Sequence, residues 1–365
     1  MLKNKFISFL IVSLALTAFL AGYVLVKKGM SPKTDLRTGT ILDKFEDGEK
    51  APGDQVLPVE VAKPKLLSER KVSSVVNSTD KNEIIYAEKN TGRIFRLNLE
   101  NLSEENLRSQ SQTDFQSVLW SPNRKEAIEL ISSSPKIKFR HFGFNENRST
   151  ELNNNIHSLA FSPDGNYIGY YYQNEASETD TYTSGRIFIS QPNGLYQKKI
   201  LDTRLKNLEL SWPLSDKLAL KTELSEVFML SENGKLTKFL DQKFNLEETW
   251  SKNGKKLLFS SSFNPSNSQT WLQVKEVDSK SEWPLSVEGK ASKCTWSIDN
   301  LNLFCGLSKL PSVDEIYEIN TSDGSRKLIA EPEMPVKSLL PTPTEDAIIF
   351  INSADEKLYS IKISD

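Results

Sequence analysis

Two cysteines, two histidines and a few neighbouring acids are the side chains of this chain that could do chemistry. Neither His141 nor His157 has a Cys or acidic partner at a metal-ligand spacing, so no zinc site is expected. Asp164-Gly165 offers one carboxylate where a calcium loop needs several at set offsets. A tight turn explains the pair better: Gly takes positive φ and Asp bonds nearby amides. Glu247 and Glu248, like Asp314 and Glu315, are adjacent, and adjacent residues on a strand point to opposite faces. Neither pair is then a catalytic dyad, and both are expected on the solvated surface. There is no G-x-S-x-G elbow and no phosphate-cradling Gly-rich loop. The S-x-D-x-G-x-x-W boxes of sialidase-type propellers are also missing. The expectation is no catalytic residue, no metal and no cofactor, hence no enzyme.

The cysteines say more. If the intervening turn pairs Ser297 with Asn302, Cys294 stands directly opposite Cys305 on the neighbouring strand. A cross-strand disulfide follows if the chain is exported. Two buried free thiols are the alternative.

The elements that hold these residues repeat. Seven times from about residue 72, a short apolar strand, a polar turn and a second apolar strand recur. The copies span 75–87, 118–130, 159–171, 210–220, 248–260, 294–306 and 338–351. Their anchors are Val76, Trp120, Phe161, Trp212, Trp250, Trp296 and Leu340. The mean spacing of about 44 residues is the period of propeller blades. A third alternating strand follows each hairpin, as in 93–99 and 270–277, and a weaker fourth fits 235–241 and 326–331. The predicted fold is all-β, a seven-bladed β-propeller of four-stranded blades. The last unit lacks a strand, which the extended segment within 55–68 could supply, closing the ring and removing its open edges.

Ahead of the propeller (55–365) lie a basic flank (1–5), an apolar run from Phe6 to Val26, and a stalk (27–54) too polar to fold alone. As a helix the apolar run would extend about 31 Å, enough to cross a bilayer. An uncleaved transmembrane signal anchor is expected, with a cleaved signal peptide as the rival. Counting basic flanks alone would keep the C-terminal side in the cytoplasm. The short basic start and the cysteine pair favour an extracytoplasmic propeller.

FSPDGNYIGYY (161–171) resembles the repeat of TolB-type propellers, a large residue followed by Ser-Pro-Asp-Gly. WSPNRKEAI (120–128) and WSKNGKKLLF (250–259) are degenerate copies. The same unit occurs in the propeller of dipeptidyl peptidases, whose hydrolase half has no counterpart here. The resemblance implies a propeller and, from the TolB-like relatives, a protein-binding module of the bacterial envelope; a fold by itself fixes no activity.

With a net charge of −2, the chain lacks the basic excess of a nucleic-acid binder. The functional expectation is a membrane-anchored scaffold with a protein partner. A hydrolase, lyase or small-ligand sensor using the central channel is the alternative. Long loops on rigid scaffolds carry binding. The candidate residues are therefore Glu175, Glu178, Asp180 and Tyr182 in the loop 173–185, and Trp271 after the loop 261–269.

Overall fold

A computed structural model describes residues 63–134, 136–173 and 185–363. The apolar run 6–26, the stalk, and Glu175, Glu178, Asp180 and Tyr182 lie outside the described residues. No described helix is long and apolar enough to cross a membrane.

The described strands form seven four-stranded antiparallel sheets. Blades 1 to 6 take residues 72–108, 115–151, 156–203, 209–240, 244–288 and 294–334, each in simple chain order. Blade 7 is composite. Its three inner strands come from residues 336–362, and its outermost strand, Lys65–Ser68, pairs with Leu358–Lys362 in the register Lys65↔Ser360.

The turns explain the hairpins. Ser121, Ser162, Ser251, Ser297 and Thr342 each take a backbone bond from their own N–H to the carbonyl five residues on. The serine hydroxyls then bond Asn or Asp two residues ahead, as Ser162 Oγ does to Asp164 Oδ1 at 2.5 Å. That turn chemistry fixes where those inner strands stop. It also sets the strand ends of the first and last blades. Blades 1 and 7 end their inner strands at Asn77 and Pro341, one residue beyond Val76 and Leu340. Asn77 Nδ2 donates to the Pro341 carbonyl at 2.9 Å, joining the first blade to the last.

Alternation gives every blade two apolar faces, and the core is the set of layers between blades. Leu258, Leu272, Val274 and Leu285 of blade 5 pack on Trp296, Leu303 and Ile319 of blade 6. Leu67 of the closing strand joins Ile349 and Leu358 of blade 7 against Val72, Tyr86 and Phe95 of blade 1. Burial of each such side chain stabilises by about 1.5–3 kcal/mol. The ring therefore stands on many moderate contacts rather than one central core. The turn glycines fit tightly against neighbours. Gly254, at φ +69°, would place a Cβ 1.8 Å from the Pro213 carbonyl oxygen of blade 4.

Candidate functional site

The layer between blades 4 and 5 departs from this apolar pattern. On blade 4, the pairings Glu209↔Lys221, Lys221↔Val227 and Val227↔Leu240 set four side chains in one row. Val227 and Leu240 pack on Leu257 and Phe259 of blade 5, so this row faces blade 5. On blade 5, Glu248 is opposed to Phe259, and Phe259 to Gln273. Glu248 therefore points at blade 4, with Ser261 and Trp271 in the adjacent row of the same face. The corresponding inner-strand position, three residues before the turn, holds Val75, Val118, Leu159, Leu210, Cys294 and Leu339 in the other blades. One carboxylate stands where six apolar side chains stand elsewhere.

Glu248 is half-buried as a residue, but its Oε2 is sealed from water and has no hydrogen-bond partner. Burial pushes its carboxyl up to about 7; the Lys221 ammonium opposes that shift and the Glu209 carboxylate adds to it. Lys221 Nζ lies 2.6 Å from Glu209 Oε2, with Glu209 itself largely exposed. Ser211 Oγ of blade 4 and Trp250 Nε1 of blade 5 are likewise buried without hydrogen-bond partners in this layer. Ser211 is opposed to Ala219, which packs on Phe259. Trp250 stacks on Phe239 at 5.6 Å. A buried polar group left unpaired costs about 1–3 kcal/mol, so several in one layer mark a place not optimised for stability alone. A carboxyl that titrates near neutrality, beside a lysine, can accept and return a proton.

Toward the end of the blades that carries the loop 261–269, the same face of blade 5 borders a cavity of about 560 Å³. Phe244, Phe263, Trp271 and Gln273 line it. Of the loop residues singled out from the sequence, Trp271 is the described one.

The other candidates are absorbed by structure. Cys294 and Cys305 are opposed and bonded, with an S–S distance of 2.10 Å. The Asp164 carboxyl is held below its usual value, chiefly by the Ser162 hydroxyl, as a turn residue. His141 is buried with Nε2 at 3.6 Å from Glu126 Oε2. The His157 ring lies 6.2 Å from that of Tyr171. The surface expectation for the acids needs correction. Glu247 accepts from the Ser292 N–H and hydroxyl. Asp314 is buried and accepts from Lys293, Ser308 and the Val336 N–H, because it ties blade 6 to blade 7. Glu315 pairs with Lys309 and Tyr317. Glu248 is the one left with an unused oxygen. Counted from the sequence anchors, the same position holds Ser74 and Ser338 in the first and last copies, and only the turn hydrogen bonds give the alignment in which Glu248 stands out.

Another charged layer lies between blades 1 and 2, where buried Glu129 takes both Arg108 and Arg140. Burial, with Arg140 nearby, pushes the Arg108 guanidinium down to about 10.

No family model matches the chain, and no curated protein matches it. Solved structures do. An oligogalacturonate lyase in complex with manganese superposes with a TM-score of 0.61 at 12% identity, over 84% of this chain and 91% of that one. An oligogalacturonate lyase from Vibrio parahaemolyticus gives 0.59 at 9% identity, with the same coverage. At such identities the likeness establishes the fold, a seven-bladed propeller. Both of these propellers are enzymes by name, which counts against the expectation of a non-enzymatic chain.

Proposed function

We propose that this propeller is a lyase-type enzyme working at the inner end of the layer between blades 4 and 5, on an oligosaccharide containing uronic acid. The observation that carries the reading is Glu248 at an otherwise apolar ring position, with one carboxylate oxygen buried and unpartnered and the carboxyl pushed by burial up to about 7. The names of the two similar structures support the substrate class. In such an elimination the Glu248 carboxylate takes the proton on the carbon next to the sugar carboxylate. The electron pair left behind forms the carbon–carbon double bond and breaks the bond to the glycosidic oxygen. That oxygen leaves and takes a proton from water. Lys221 sits where an ammonium can offset the charge that builds on the sugar carboxylate.

Manganese, present in one of the similar structures, finds no counterpart in this donor set. Among the described residues no three His, Cys, Asp or Glu side chains cluster so as to hold a metal ion.

The test is release of unsaturated product from oligogalacturonate and other uronate polymers by the full-length chain, followed by ultraviolet absorbance. Wild type should turn over at least one of them, and Glu248→Gln should lose about 10²–10⁴-fold, the scale of a removed general base. No turnover on any of these substrates, or a fully active Glu248→Gln, would overturn the reading. Kinship with TolB-type propellers and display on a membrane through residues 6–26 are further parts of the proposal. The bonded cysteines support an oxidising compartment. Mass of the mature N-terminus and a reporter fusion test that part.

A further inference from the structure

We infer that the cavity beside Trp271 is a remote subsite for an acidic sugar ring, on the same oligosaccharide whose reacting unit lies at Glu248. The inference rests on the proposed lyase reading for the identity of the ligand, and on separate residues for its location.

Four observations meet there. Phe263 is 78% exposed and Phe244 40% exposed, so two aromatic rings border the cavity facing water. Trp271 presents a third ring, and its Nε1–H, buried at this site, finds no acceptor. Gln242, Ser262 and Gln273 add amide and hydroxyl groups, with Gln273 Nε2 donating to Ser261 Oγ at 3.0 Å. The lining contains Lys243 and no carboxylate. Glu282 is shared by Lys243 at 2.7 Å and Lys275 at 3.0 Å, so two ammonium groups divide one acid.

A pyranose ring matches this set. Its C–H face stacks on aromatic rings, its hydroxyls exchange hydrogen bonds with amides and serines, and a uronate carboxylate answers the excess ammonium. An apolar peptide would leave the glutamines and the lysine unanswered, and a cationic ligand would be repelled. The cavity at about 560 Å³ is within the range of small-ligand sites. Continuity with the reacting end comes from the strand pairing: Trp271 is opposed to Ser261, next to the row that joins Gln273 through Phe259 to Glu248.

Calorimetry on the full-length chain tests this, with a reduced oligogalacturonate of six units as the probe. The Glu248→Gln variant should bind it as wild type does, because the subsite is separate from the base. Phe263→Ala should weaken binding roughly three- to tenfold, the scale of one aromatic contact. Lys243→Met should do the same, and a neutral oligosaccharide of equal length should bind more weakly than the uronate. In turnover, Phe263→Ala should raise KM on the six-unit substrate more than on a dimer. Unchanged affinity in both Phe263→Ala and Lys243→Met, or equal binding of the neutral oligosaccharide, would overturn the inference. Binding with these dependences but no turnover by wild type would sink the lyase reading and leave the subsite standing. Turnover that depends on Glu248 with no effect of Phe263→Ala would do the reverse.

Discussion

Replacing Glu248 by Gln should stabilise the protein while it removes the proposed base. Burial raises the carboxyl from 4.5 to about 7, so in this pH range the folded protein holds the proton more tightly than the unfolded chain. Below pH 4.5 both states are protonated and no penalty exists. As pH rises the unfolded chain ionises first, and stability falls until the folded group ionises too, near 7. Above that the penalty is complete. At 1.36 kcal/mol per unit it amounts to about 3 kcal/mol, or about 2 after allowing for the partial exposure of the residue. A domain of roughly 300 ordered residues unfolds with an entropy of about 0.6 kcal/mol/K, so Tm should rise by about 3–4 °C. Differential scanning calorimetry at pH 8 and at pH 4.5 reads this directly. The gain should appear at pH 8 and vanish at pH 4.5. A lower Tm at pH 8, or an equal gain at both pH values, would show that Glu248 is not a buried charge held against stability. The rate on a uronate substrate should follow the opposite limb, rising with pH through about 7 as the carboxylate forms.

Other perturbations test the frame. Changing Cys294 and Cys305 together to Ser opens a short loop and should cost up to about 3 kcal/mol; an unchanged urea midpoint would deny the bond a role. Gly254→Ala meets both a positive φ and the Pro213 carbonyl, so it should lose more than about 1 kcal/mol, and a variant as stable as wild type would contradict the close packing of that turn on blade 4. Deleting residues 55–68 removes the outer strand of blade 7 and Leu67 from its core, and should lower Tm and promote association in light scattering; unchanged melting would reject closure through this strand.

The architecture was legible because each blade is local. Each hairpin lies within about a dozen residues, five of the seven carry a Trp or Phe anchor, and the copies reinforce one another. Val76 and Leu340 are the last large residues of their inner strands, as read, but the turn hydrogen bonds put one more residue, Asn77 and Pro341, ahead of each turn. The site was not legible for the converse reason. Glu209, Lys221 and Glu248 belong to three strands of two blades, and their meeting depends on which face of each strand looks at its neighbour. Alternation did say correctly that Glu247 and Glu248 diverge. It could not say that one would find Ser292 and the other nothing. Asp314 hides the same way: its partners Lys293 and Val336 come from the connection before blade 6 and from blade 7.

The composite seventh blade has a consequence for when the protein can finish folding. Blades 1 to 6 can each form as their own residues appear. The strand Lys65–Ser68 is made early and has no partner until Leu358–Lys362 has emerged, roughly 290 residues later, or about 15–60 s at ordinary synthesis rates. Throughout that interval the ring is an open arc. It carries the unpaired inner face of blade 1 at one end and the newest blade at the other. The protein depends on its two most distant strands finding each other before a neighbouring chain finds either, so the rate of that encounter, more than the stability of any blade, sets how much chain survives to become a closed ring.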